Sequence, residues 1–175
     1  VLTEGRPRVI SRIADDVDGI LLSFNPGNEG GRAFADVIFG DYNPDGKLPV
    51  TYPRSPGYFP TYDAPRFERV SGADPAFQPQ FEFGSGLSYT TFAYSDLTLS
   101  SRSIGIAGKL TVSFRVTNTG NLAGNETSIL YLRDEIASIT PAGKRVKRFA
   151  KIALAPGESK TISFMLGKED LQFIN

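Results

Sequence analysis

Any acid–base chemistry in this chain must come from carboxylates, tyrosines and lysines, because it contains no histidine and no cysteine. Lack of histidine removes the usual neutral-pH general base and every Ser-His-Asp arrangement. Lack of cysteine removes disulfides, thiol nucleophiles and thiolate metal sites. Three stretches then compete for a functional role. Asn25-Pro26-Gly27-Asn28-Glu29-Gly30-Gly31 is a glycine-rich turn of the sort whose free N–H groups attract phosphate. No Lys-Ser or Lys-Thr pair follows it, and its glycines do not space as G-x-G-x-x-G. Glu29 suits the dipole of a following helix but repels an anion, so the turn reads as structural. Asp15, Asp16 and Asp18 form an acidic cluster that reads as a solvated turn, because a hard cation needs several converging oxygens and a loop built to hold them. The third stretch is aromatic: Tyr58, Phe59, Tyr62, Phe67, Phe77, Phe81 and Phe83 crowd residues 53–83. Sugars stack on aromatic faces, and the same rings could instead pin an irregular loop to its own or an adjacent domain.

Elements of two kinds position these stretches. Residues 20–24 are a short apolar run of strand length, and Phe34, Val37 and Ile38 recur at helical spacing up to Phe39-Gly40. After the turn residues 41–46, a second extended run occupies 47–53. Strand, crossover helix and strand in that order predict a unit of parallel sheet. Residues 8–16 carry a shorter helix-like spacing at Val9, Ile10 and Ile13. Between 53 and 83 no period is visible, and loops of that length are functional or wrap a neighbour.

From Tyr89 onward the period becomes that of strands. Predicted strands run over 92–99, 109–118, 128–133, 145–154 and 160–166, the second alternating cleanly through Leu110, Val112, Phe114 and Val116. Short strands at this spacing predict an antiparallel β-sandwich, with a boundary near Leu87. Lys144, Arg145, Lys147, Arg148 and Lys151 make a basic run, read as the polar face and edge of a strand kept from pairing with other chains. Asn125-Glu126-Thr127 matches a glycosylation acceptor.

Charge excludes one class of partner. The net charge is zero, but residues 1–87 carry 8 basic against 12 acidic side chains and residues 88–175 carry 11 against 7, balances of −4 and +4 that attract one another. A dedicated nucleic-acid binder would be dominated by basic charge. No apolar run reaches membrane-spanning length, and no signal-peptide pattern is visible at the amino end.

With these segments in place, the chain resembles the carboxy-terminal part of glycoside hydrolase family 3, the family of many β-glucosidases. The stretches that carry the resemblance are Gly5-Arg6-Pro7, Pro26-Gly27-Asn28-Glu29-Gly30-Gly31, the run from Phe39-Gly40-Asp41-Tyr42-Asn43-Pro44-Asp45-Gly46 to Lys47-Leu48-Pro49-Val50, and Phe83-Gly84-Ser85-Gly86-Leu87-Ser88-Tyr89. Val116-Thr117-Asn118-Thr119-Gly120, Leu130-Tyr131-Leu132 and Ala155-Pro156-Gly157-Glu158 resemble the family's fibronectin type III-like module. The resemblance implies that residues 1–87, with loop 53–83, end an α/β sandwich domain and that 88–175 form most of the module. It implies a retaining reaction on β-linked glucosides or oligosaccharides, with an aspartate nucleophile and a glutamate acid/base about 5 Å apart. Both residues are expected upstream of Val1, the nucleophile in an amino-terminal barrel, so no catalytic residue is assigned here; Glu29 and Glu4 are rejected as substitutes. The chain's role is then to support the active-site cleft without catalysing, the alternative being a carbohydrate-binding or purely structural interdomain module.

Tyr58, Tyr62, Arg66 and Phe67 are the candidate substrate-binding residues, on the expectation that loop 53–83 lies against the barrel near its cleft. No cofactor or metal is expected. The resemblance implies, as partner, the missing amino-terminal barrel and the remainder of the α/β domain, and a secreted or periplasmic location. Both ends of the chain are expected to be cut relative to the family, with at least one module strand beyond Asn175.

Overall fold

The computed structural model describes residues 1–59, 61–64, 78–137 and 139–172. Its first unit is a small parallel sheet with a helix. β1 (Leu2–Thr3) pairs in parallel with β2 (Leu22–Ser23), in the register Leu2↔Leu22. Between them the single turn α1 (Ser11–Ala14) places Ile10 in the interior. After β2 the chain turns through Asn25 and Gly27, both at positive φ, into α2 (Gly30–Phe39). Gly40 closes that helix in the left-handed conformation that glycine adopts without strain.

One expected pairing is different. The partner of β2 in the parallel sheet is β1, whereas residues 47–53 pair antiparallel with the chain that returns from the long loop. The Leu48 amide donates to the Ser85 carbonyl at 2.8 Å, that of Gly84 to Leu48 at 2.8 Å, and that of Tyr52 to Phe81 at 2.8 Å. Pro49 and Pro53 explain the short, interrupted pairing, since neither has an N–H to contribute to a ladder. Loop 53–83 therefore leaves and re-enters the fold at one place, with Tyr52 almost fully buried at its root.

The second unit is the expected antiparallel sandwich. One sheet has the order β3-β4-β7, from β3 (Phe92–Leu99), β4 (Leu110–Asn118) and β7 (Ser159–Leu166); the other pairs β5 (Gly124–Leu132) with β6 (Arg145–Leu154). A last turn, α3 (Lys168–Leu171), follows β7. Alternation fills the core from both sheets: Phe114 and Val116 of β4, Ile162 and Phe164 of β7 and Leu154 of β6 are buried together, with Phe92, Leu130, Ala150 and Ile152 against them. Each of the first five contributes about 1.5–3 kcal/mol on leaving water. Asn118, fully buried, joins the sheets by donating to the carbonyls of Leu122 at 2.8 Å and Leu154 at 3.1 Å, while its own oxygen accepts from Thr90 at 2.7 Å.

Candidate functional site

The two units meet along β5 and β6, and side chains fasten them at both ends of that ladder. At the end where Gly124 faces Leu154, the turn 41–46 supplies an acceptor and a donor on short side chains. Asn43 donates to the Ala123 carbonyl at 3.0 Å, and its oxygen accepts from Ser88 Oγ at 2.8 Å and the Tyr89 amide at 2.7 Å. Asp45 is the more charged hub. Its carboxylate accepts from Tyr42 at 2.9 Å, Asn125 at 2.6 Å and Lys151 at 2.8 Å. Burial pushes the Asp45 carboxyl up, but the bonds from Lys151, Asn125 and Tyr42 outweigh it and hold the group below the ordinary aspartate value. The same bond acts oppositely on Tyr42, whose phenol is raised first by donating to Asp45.

Lys47 makes the reciprocal contact. Its ammonium lies 3.3 Å from Glu126 Oε2 and donates to the Gly86 carbonyl at 3.0 Å. Glu126, 8% exposed, also accepts from the Tyr94 hydroxyl at 2.8 Å. The attraction expected between an acidic first half and a basic second half accounts for Asp45 with Lys151 and for Glu82 with Lys144 at 3.9 Å, whereas Lys47 with Glu126 runs the other way.

At the opposite end, where Tyr131 faces Val146, the fastening is aromatic. Tyr62 stacks on Phe83, and both lie 6.4 Å from Tyr131, the first tilted and the second edge-on. Lys144 covers the Tyr131 ring at 4.6 Å from its centroid. Burial first, then the nearby Tyr62 and Glu82, raises the Tyr131 phenol. Two backbone amides complete the joint, that of Gly143 donating to the Asp63 carbonyl at 3.0 Å and that of Val146 to the Tyr62 hydroxyl at 3.5 Å.

Of the four substrate-binding candidates, the structure brings Tyr62 into this joint, with one ring face on Phe83. Tyr58 is half-buried, and Arg66 and Phe67 lie outside the described residues. Glu29 sits exposed at the N-cap of α2 with no side-chain bond to the helix. Asp15, Asp16 and Asp18 are exposed after α1. The basic run is largely occupied: Lys151 and Lys144 hold the joint, and Arg148 makes a two-pronged pair with Asp170, both bonds 2.7 Å. Asn125 does not stand free as a glycosylation acceptor should, since its amide nitrogen is bonded to Asp45. Sequence reasoning did not single out Asn43, Asp45, Lys47, Glu126 or Tyr131, and the density of polar side chains in the turn 41–46 was the available signal.

An α/β unit carrying an antiparallel sandwich on a hydrogen-bonded joint defines a pair of packed modules. Residues 1–89 match the glycosyl hydrolase family 3 C-terminal domain, and residues 126–175 match the fibronectin type III-like domain. The chain belongs to glycoside hydrolase family 3. It is 44% identical over its whole length to the periplasmic β-glucosidase of Salmonella typhimurium, covering 24% of that protein. It is 42% identical, again over its whole length, to a β-xylosidase of Formosa agariphila, covering 25% of it. Among solved structures, a β-glucosidase from Erythrobacter marinus superposes with a TM-score of 0.89 at 40% identity over 99% of this chain and 23% of that one. The chain thus spans about a quarter of the length of the relatives it matches.

Proposed function

We propose that the chain is the non-catalytic carboxy-terminal part of a retaining β-glucosidase-like hydrolase, acting on β-linked glucosides or oligosaccharides. Its residues 1–87 complete an α/β domain, and residues 88–175 form most of the sandwich module that braces it. The supporting observation is full-length similarity, in a single order, to β-glucosidases about four times as long. In this reading the nucleophile and the acid/base lie in the remainder of the polypeptide. The contribution of this chain is mechanical: it keeps the α/β domain in shape through a joint fastened at both ends, and so supports the cleft.

The experiment compares the full-length polypeptide with residues 1–175 on an aryl β-glucoside. Turnover is expected from the first and none from the second. Hydrolysis by residues 1–175, purified free of any longer form, would overturn the non-catalytic assignment. An inactive full-length polypeptide would overturn the β-glucosidase reading. A purely structural role for the loop is favoured by one observation, the engagement of Tyr62 in the aromatic joint. The kinetics of Tyr62 variants, argued below, separate that role from substrate contact.

A further inference from the structure

The two fastenings of the joint differ in chemistry. At one end, ion pairs cross in opposite senses: the first unit gives a carboxylate, Asp45, to Lys151 of β6 and an ammonium, Lys47, to Glu126 of β5. Asp45 and Glu126 are 10% and 11% exposed at their side chains, so each carboxylate is largely out of water and depends on its partners. At the other end, Tyr62, Phe83 and Tyr131 hold by ring contact, with backbone bonds at Asp63 and Gly143.

We propose that the joint is a one-ended latch: removing the charges of Asp45 and Glu126 releases the ionic end, while the aromatic end keeps the two units together as a hinge. The groups that face these carboxylates come from every element packed there. Asp45 meets Tyr42 of its own turn, Asn125 of β5 and Lys151 of β6. Glu126 meets Lys47 of the first unit, Tyr94 of β3 and Ser128 through the Tyr94 hydroxyl. Neutral carboxyls here leave Lys47 and Lys151 without a charged partner at a seam. At the other end the rings hold by contact, and the one ion pair described beside them, Lys144 with Glu82, is longer at 3.9 Å and has a mostly exposed carboxylate, so it depends less on charge. Acid acts in the same direction. Because the bonded Asp45 sits below its ordinary value, its contribution is complete above that value and is lost as the pH falls through the folded one.

Hydrogen exchange on the full-length polypeptide at neutral pH tests the latch without acid. The variant Asp45→Asn with Glu126→Gln removes both charges and keeps the shapes. Exchange in the peptide spanning 86–92, which contains the Tyr89 amide bonded to Asn43, is expected to quicken about tenfold. The peptide spanning 141–146, with the Gly143 and Val146 amides, is expected to stay within about twofold of the parent. Equal acceleration at both ends, or none at either, overturns the proposal. A second pair keeps the test decisive if the double-neutral variant does not fold. Asp45→Lys alone is expected to quicken 86–92, and adding Lys151→Asp to restore the parental rate; a double reversal no slower than the single change, or unfolded, also overturns it.

Discussion

Tyr62 lies on Phe83 with 4.5 Å between ring centroids and 26° between their planes, so the two feet of loop 53–83 touch each other where they touch the sandwich. Order is costly for so long an excursion, and burial of these rings against Tyr131 offsets part of that cost at the loop's base.

Replacing Tyr62 by Ala in the full-length polypeptide is therefore expected to lower stability by about 1–3 kcal/mol, less than a fully buried ring would cost. Tyr62→Phe keeps the ring on Phe83 and Tyr131 and should lose less than Tyr62→Ala. Kinetics read alongside melting decide the role. A KM rising more for an oligosaccharide than for a small aryl glycoside would put the loop at an outer subsite; unchanged kinetics with a lower Tm would make Tyr62 a clasp alone. Arg66→Ala, measured in the same way, extends the comparison along the loop.

The glycine pair that opens α2 gives a sharper contrast. A Cβ on Gly30 would lie 2.5 Å from Pro26 Cβ and 2.9 Å from its Cγ, a rigid ring that cannot swing aside. A Cβ on Gly31 would meet nothing within 4 Å. The demand for glycine at position 30 comes from this close approach, since neither residue has a positive φ. Gly30→Val is expected to cost about 1–3 kcal/mol by overpacking. Gly31→Ala should be neutral or stabilising by up to about 1 kcal/mol, because alanine loses less freedom in a helix. Thermal melts of both variants check the pair, and equal losses would contradict the packing argument. Glu29→Gln, exposed next to them, should leave kcat within a few-fold of the parent.

The strands were legible where one face is apolar. β4 alternates through Val112, Phe114 and Val116, and β6 runs over Arg145–Leu154 as its pattern predicts. β5 was legible only from Ser128, because its first residues, Gly124, Asn125, Glu126 and Thr127, look like a polar loop. Two of those polar side chains face Asp45 and Lys47, so the strand's chemistry is that of an interface. Pairings over such distances leave no local pattern: Asp45 and Asn125 are 80 residues apart, and Asp45 and Lys151 are 106 apart. The extended run 47–53 was visible as extended, but no periodicity tells a parallel partner from an antiparallel one.

Asn125 carries a prediction of its own. A glycan would be attached through the nitrogen that donates to Asp45 at 2.6 Å, at a position only partly open to solvent. Expression through a glycosylating secretory pathway is expected to give no added mass at the 125–127 sequon, as read by peptide mass spectrometry. Asn125→Ala should destabilise by about 1–2 kcal/mol, the cost of taking one donor from a carboxylate that keeps two others. Full occupancy of the sequon by a glycan in folded protein would mean that this bond is not made.

Tyr94 links the stability of the sandwich to alkaline pH. Its ring stacks on Phe114 at 5.9 Å, and its hydroxyl donates to Glu126 at 2.8 Å within 3.0 Å of Ser128 Oγ. Burial is the main reason its phenol is pushed up to about 12; the Ser128 bond lowers it, while donation to Glu126 and that residue's charge raise it further. The sign follows from proton counting. From the ordinary value of 10.0 up to about 12, the unfolded chain has lost the Tyr94 proton while the folded chain retains it. Stability from this group is therefore fully present below 10.0 and declines as the pH rises through that window. Half of the residue remains exposed, so solvent screens the effect and the decline should be shallow. Tyr94→Phe removes the titrating group and one donor to Glu126. The variant is expected to be less stable than the parent at neutral pH, with the gap narrowing as the pH rises above 10.0. Melting midpoints of the two proteins across that range, with phenolate absorbance followed in parallel, check it. A gap that stays constant or widens would mean that the Tyr94 proton is not held by the fold.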